Sequence, residues 1–311
     1  MRKQGEYMPR LLFFPTPYPG ESMYSIMARF HQRSGNSKSI HTREKLLNSP
    51  GVSIYQYIIS PVHKEYVEEW FPENTDASAI WENLRDLHSA APLKFLCSDW
   101  AARSELGHAF SHETVARKRK RWPAALCNNL KPYRWEKLKY CPLCAAQQIS
   151  SYGECYWEVL PQIDHVHYCP VHEAAYLESE ITAWDANKNF IPLSEVIAPS
   201  KDTAVLLKKR EYRDMELQYS KNILWLLENG ALFKNVLFDK IRSLFLCYFR
   251  AHKMRIDERM NYILNQYEPK YRVRVDMRLR DPYYLSVFQI LSIIETYFFP
   301  VTELVEHLNN F

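Results

Sequence analysis

Two short cysteine segments constrain this chain more than any other feature. Residues 140–144 read Tyr-Cys-Pro-Leu-Cys, and after 24 intervening residues Cys169 opens Cys-Pro-Val-His172. Each knuckle has a tyrosine directly before its first cysteine (Tyr140, Tyr168) and a proline directly after it. Zinc favours thiolate and imidazole ligands in a tetrahedron, and a CxxC knuckle supplies two of them without distorting the backbone. The chain between 145 and 168 is then expected to fold back and bring Cys141, Cys144, Cys169 and His172 around one Zn2+ ion. The alternative, three core thiols and a surface histidine, requires the paired spacing to arise twice by coincidence in a chain of seven cysteines.

A Cys3His set fills the four positions that zinc normally takes, whereas catalytic zinc keeps one position for water. The expected ion is therefore structural. A zinc deaminase would carry His-x-Glu upstream of its Pro-Cys-x-x-Cys segment. His108 and His112 lack that offset, since Glu113 directly follows His112. His165 and His167 lie near the second knuckle but lack its paired spacing. Cys97, Cys127, Cys155 and Cys247 stand singly among apolar or aromatic neighbours and are expected to be core thiols.

The sequence has no apolar stretch long enough to span a bilayer, and Met-Arg-Lys-Gln-Gly-Glu at its start is not a signal peptide. A cytoplasmic location is expected, where thiols stay reduced and paired cysteines indicate metal rather than disulfides.

At 311 residues, more than one subdomain is expected. A hydrophobic share of 47% is enough to build cores, and only 7 glycines argue for helices over turn-dense β architecture. The fold class expected is mainly α. An N-terminal helical, helix-turn-helix-like domain occupies 1–135, a Cys3His zinc-finger domain 136–182, a connector 183–210, and a C-terminal helical domain 211–311.

Along the chain, Pro15, Pro17 and Pro19 impose an extended lead-in. Met23, Ile26, Met27 and Phe30 then recur at helical spacing between Glu21 and Ser34, and Gly35-Asn36 closes the helix. A second helix is expected at 42–48 with Thr42 as its cap, and amphipathic pieces follow at 61–70 and 75–89. A helical bundle with no DNA in its grooves fits this pattern as well as a helix-turn-helix does. Beyond the polar stretch 181–210, Leu217 to Tyr248 carries an apolar helical stripe, and helices return at 283–298 and 301–308. Arg272 to Arg280 alternates charge and apolar character like an extended segment or loop.

The net charge of +4 is too mild to identify a partner, so its distribution matters more. Between Arg117 and Lys139 there are nine basic residues and one acidic residue, Glu136, interleaved with Trp122, Tyr133 and Trp135. Arg117, Lys118, Arg119, Lys120 and Arg121, with Arg272, Arg274, Arg278 and Arg280, are the candidate phosphate contacts for double-stranded DNA. A solvated helix face is the other reading of such a run.

No phosphate-binding glycine loop, nucleophile elbow or His-Glu-x-x-His pair is present. Glu65, Glu68 and Glu69 read as a solvated helix face. No catalytic residues are expected, and the chain is not expected to be an enzyme.

Two segments together resemble one family. Phe14-Pro-Thr-Pro-Tyr-Pro-Gly-Glu-Ser-Met-Tyr-Ser-Ile-Met-Ala-Arg29, with Ser34-Gly35, is similar to the start of TniQ/TnsD proteins. Tyr140-Cys-Pro-Leu-Cys144, Tyr152-Gly-Glu154, Trp157 and Tyr168-Cys-Pro-Val-His172 resemble that family's zinc segment. The resemblance implies a non-enzymatic target-site selector of a TnsABC-type bacterial transposon that recruits the AAA+ regulator TnsC. It carries the zinc ligands over to Cys141, Cys144, Cys169 and His172, and the TnsC contact to roughly 8–36. Tyr-Gly-Glu before an aromatic-Trp pair leans to the TnsD side, whose members read an attachment site directly. Members of that branch are usually longer, so a fragment and a naturally short member both fit a chain stopping at Phe311. The alternative is a TniQ-type adaptor linking a CRISPR effector complex to TnsC with little sequence reading of its own. A transcription regulator would use the same helix-turn-helix and zinc parts.

Overall fold

The computed structural model describes residues 11–72, 75–96, 137–197, 212–236, 238–251, 257–265 and 285–310. These are mostly helical, with one two-stranded sheet among them, so the mainly α expectation holds. The nine candidate DNA-contact residues Arg117, Lys118, Arg119, Lys120, Arg121, Arg272, Arg274, Arg278 and Arg280 lie outside the described residues. So do Cys97, Cys127, His108 and His112.

The chain divides into two compact units. One contains the described residues within 1–91, 132–162 and 176–205; the other contains those within 92–131, 163–175 and 206–311.

In the first unit the proline-rich lead-in runs extended into α1 (Met23–Arg33). Ser22 caps α1 by accepting from the Ser25 amide at 3.2 Å. Every residue from Met23 to Phe30 is buried, not only the apolar stripe that the spacing picks out. The reason is a second extended segment alongside: Ser22 N donates to Trp157 O at 2.8 Å and Val159 N to Gly20 O at 3.0 Å. Gly20, at φ 68, makes the turn into this pairing, a conformation that suits glycine.

α2 (Ser39–Leu47) starts before the expected Thr42, with Lys38 at its cap and no side-chain capping bond. Thr42 is instead a buried helix residue whose hydroxyl meets His31 Nδ1 at 2.6 Å and accepts from Asn36 at 3.0 Å. Tertiary partners outcompete the local cap there. α3 (Lys64–Trp70) docks through Trp70, whose indole N–H donates to Leu46 O at 2.8 Å. α4 (Ala77–Leu87) is capped by Asp76, which accepts from the Ala79 amide at 3.0 Å. On α3, Glu65 and Glu68 are exposed, as a solvated face requires, whereas Glu69 is half-buried and accepts from Asn48 Nδ2.

β1 (Lys137–Tyr140) pairs antiparallel with β2 (Leu177–Thr182). The ladder is irregular between Lys137 and Lys139, and Gln162 bonds both the amide and the carbonyl of Lys139 beside it. α5 (Pro142–Tyr152) follows β1 and stops at Gly153, which adopts φ 78 and returns its N–H to Ile149 O. The polar stretch after β2 contains α6 (Ala183–Lys188), opened by a Thr182/Asp185 capping box, which the spacing did not predict. Asn187 Oδ1 then accepts from Ser53 Oγ and Ile54 N, both at 2.8 Å.

In the second unit, α7 (Arg213–Glu228), α8 (Phe238–Ala251), α9 (Glu258–Asn265) and α10 (Val287–Ile293) carry the core. α10 is buried on every side. Its Ser286/Gln289 capping box leaves the Gln289 amide free to donate to Ile263 O and Leu264 O, satisfying carbonyls at the end of α9. α10 continues as a π-turn over Ile294–Phe298, and α11 (Leu304–Asn309) follows. Phe95 and Phe233 stack at 4.3 Å, and beside them Gly230 leaves no room for a Cβ, which would lie 2.4 Å from Pro92 Cβ. Among the described residues, no single helix is long and apolar enough to cross a membrane.

Candidate metal centre

The first knuckle is built by a strand running directly into a helix. Tyr140 ends β1, Cys141 takes an extended conformation at the cap of α5, and Pro142 occupies the first helical position. Proline has no N–H to leave unsatisfied there, and its fixed φ starts the helix. Cys144 follows inside the first turn, where peptide dipoles favour a thiolate. Cys141 is buried and Cys144 half-buried.

The second knuckle closes on a tight reversal. Tyr168 bridges to Ala175, Cys169 N donates to Ala174 O at 2.8 Å, and Glu173 adopts φ 51 within the turn. His172 N donates to Cys169 Sγ at 3.4 Å, and His172 Nδ1 lies 3.6 Å from the same sulfur.

The Sγ atoms of Cys141, Cys144 and Cys169 and a ring nitrogen of His172 all lie within 4.8 Å of one another. Tetrahedral zinc with Zn–S near 2.3 Å sets its sulfurs roughly 3.8 Å apart, so the grouping fits an ion of that size and softness. It is the one group of three or more metal-ligating side chains among the described residues. His165 and His167 stay out of it. His165 instead packs on Phe288 with ring centroids 4.7 Å apart. Of the single cysteines, Cys155 is buried, and burial pushes its thiol up to about 11. Cys247 is exposed, correcting the expectation of a core thiol. It lies on the outward side of α8, while Ile241, Leu244 and Phe245 fill the core.

A second constellation ties the lead-in to α1 and to the end of α5. Arg29 is fully buried on α1. Its Nη1 donates to Glu21 Oε2 at 2.8 Å and to Thr16 O at 3.1 Å, while Nε donates to Glu154 Oε1 at 3.0 Å. Its guanidinium lies 3.9 Å from the Tyr18 ring centroid. Tyr18 OH and Arg33 also donate to Glu154 Oε1, at 2.8 and 2.5 Å. Tyr18 stacks on Tyr152 at 4.4 Å and on Tyr156 at 5.1 Å.

The two carboxylates respond in opposite directions. Burial pushes Glu21 up to about 7 although Arg29 opposes it, and its Oε1 has no hydrogen-bond partner. Burial also acts to raise Glu154, but the Tyr18 hydroxyl with Arg29 and Arg33 outweighs it and holds the carboxyl below the usual range. Sequence reasoning missed this clamp. One signal was available: Arg29 lies three residues after Ile26, on the apolar face, where a charge must find a partner.

The family model named TniQ matches residues 12–175. The chain belongs to the TniQ family. This membership makes it a transposition-associated protein. The TniQ match takes in the lead-in, the buried Arg29 constellation and all four members of the Cys3His group. Helices α7 to α11 lie beyond the matched span. No curated protein matches the chain.

Proposed function

We propose that this TniQ-family chain is a non-enzymatic, cytoplasmic target-site selector that binds double-stranded DNA and recruits TnsC to the insertion site. The TniQ match over residues 12–175 carries this reading, and the Cys3His grouping supports its non-enzymatic part, because four protein donors leave a tetrahedral ion no position for water or substrate. One zinc ion bound there serves the fold: it fixes the reversal at 169–175 and the start of α5. Thiolate ligands suit zinc better than magnesium or calcium, which take oxygen donors.

The buried clamp supports a recruiting role for the N-terminal segment. Glu21, Arg29 and Glu154 hold Thr16 and Tyr18 in one extended conformation. A segment ordered before its partner arrives loses less entropy on binding. DNA affinity is assigned to Arg117–Arg121 and to the arginines between 272 and 280, through phosphate contacts that carry no sequence information themselves.

The deciding experiment is selection from a random DNA pool with zinc-loaded protein at a stated salt concentration. Enrichment of one motif supports a TnsD-like selector that reads its own site. Binding without enrichment favours the adaptor reading, in which a CRISPR effector complex supplies the sequence. Absence of DNA binding at low salt overturns the DNA-binding assignment.

A further inference from the structure

Helices α7, α9 and α10, with the π-turn that follows α10, line a half-open pocket of about 370 Å3. It lies beyond the span that the TniQ model matches. Its volume falls within the roughly 300–1,000 Å3 typical of ligand pockets.

Its wall contains a hydroxyl without a partner. Ser292 is buried at 4% exposure, and its Oγ is shielded from solvent with no hydrogen bond. A helical serine ordinarily returns its hydroxyl to the carbonyl four residues back, and leaving one orphaned is destabilising. Three residues later Glu295 is held on one side only. Its Oε2 accepts from Asn222 Nδ2 at 3.0 Å and from Val301 N at 2.7 Å, and Gln218 braces Asn222 through a further 3.0 Å bond. No described residue donates to Glu295 Oε1. The π-turn Ile294–Phe298 carries Glu295 and Thr296, both of which line the cavity. Wide turns of this kind give up regular helical bonding and are frequent at functional sites.

The rest of the lining adds a second carboxylate, Asp214, an aromatic ring and a cation. Tyr212 forms an aromatic wall, stacked on Tyr262 at 3.9 Å. Such a wall beside a carboxylate suits a cationic group, above all a planar guanidinium. Arg259 lines the same cavity and disfavours a bare cation, but it complements a ligand that also carries a carboxylate.

We propose that this cavity binds a basic zwitterion, an arginine either free or at the C-terminus of a peptide. The guanidinium is held by Glu295 beside the Tyr212 wall, and the carboxylate faces Arg259. This site is independent of the metal centre and of the DNA-binding assignment.

Calorimetric titration of the zinc-loaded full chain tests it, using L-arginine, agmatine (which lacks the carboxylate) and the peptide Gly-Gly-Arg. The expected result is saturable binding of L-arginine at millimolar concentration or below, weakened about ten-fold in agmatine, as the loss of one charge-assisted bond implies. Glu295→Gln, which keeps an oxygen for Val301 N, is expected to weaken both ligands. Arg259→Met, at an exposed position, is expected to weaken L-arginine and to tighten agmatine, which no longer meets an opposing cation. Tighter binding of the peptide would assign the ligand to a protein C-terminus, and equal or weaker binding to the free amino acid. No saturable binding of L-arginine or of the peptide, or binding that Arg259→Met leaves unchanged in a variant that melts like the parent, overturns the proposal.

Discussion

Arg29 Nε donates to Glu154 Oε1 at 3.0 Å across 125 residues of sequence, while Nη1 of the same guanidinium donates to Glu21 at 2.8 Å. One buried cation therefore serves two carboxylates. The environments of the two differ enough that one is held ionised and the other is pushed toward neutrality. The TniQ match covers both sequence segments that this arginine joins.

Removing the shared cation is expected to cost far more than neutralising the buried acid. Arg29→Met leaves Glu154 with fewer donors and Glu21 buried without its counter-charge, a destabilisation of roughly 3 kcal/mol. Glu21→Gln keeps the shape and an acceptor oxygen and is expected to cost less than about 1 kcal/mol. Urea unfolding of both variants checks the order. Equal destabilisation would show that Glu21 acts as a full ion-pair partner.

The pH dependence has a defined sign. Glu21 has a folded-state value of about 7 against an ordinary 4.5, so the folded protein holds this proton more tightly than the unfolded chain does. Its contribution is complete below 4.5 and is lost as pH rises through about 7, on the order of 3 kcal/mol in all. Glu154 behaves oppositely, with its contribution present above the ordinary carboxylate range and lost as pH falls through its depressed value. The difference in urea midpoint between the parent and Glu21→Gln, followed from pH 5 to pH 8, isolates Glu21. The variant should gain on the parent as pH rises, and a constant difference would show that the Glu21 carboxyl does not titrate in this window.

Metal content should follow the Cys3His set and no other thiol. Cys144→Ser and Cys169→Ser are expected to lose the ion and melt at lower temperature, because apparent zinc-binding energies of about 10–16 kcal/mol in small zinc domains are folding energy. Cys247→Ser, at an exposed position, is expected to keep both metal content and melting temperature. Elemental analysis and thermal unfolding on the same samples check this, and unchanged metal in Cys169→Ser would remove it from the ligand set.

Neutralising Arg117 to Arg121 is expected to weaken DNA binding on every sequence. The slope of log affinity against log salt should become shallower by about 0.9 for each phosphate the protein no longer neutralises. Binding isotherms at several salt concentrations on two unrelated duplexes measure both effects. Weakening confined to one duplex would indicate base recognition instead.

The knuckle spacing alone picked out the four side chains that the fold brings within 4.8 Å of one another, because a metal site imposes its spacing on short local segments. Helical periodicity likewise located α1, α7 and the final helices, since burying one face leaves a pattern every three or four residues. Proline placement marked the extended lead-in for the same local reason. Other features have no such signature. Thr42 looked like a cap and became a core residue, because His31 and Asn36 reach it only after α1 and α2 pack. α6 emerged from a polar stretch: its Thr182/Asp185 capping box is local, but apolar periodicity does not record it. The pairing of Arg29 with Glu154, and the cavity between α7, α9 and the π-turn, come from segments far apart in the chain. Such contacts depend on how whole elements pack, and sequence periodicity records only which side of an element is buried, not what lies against it.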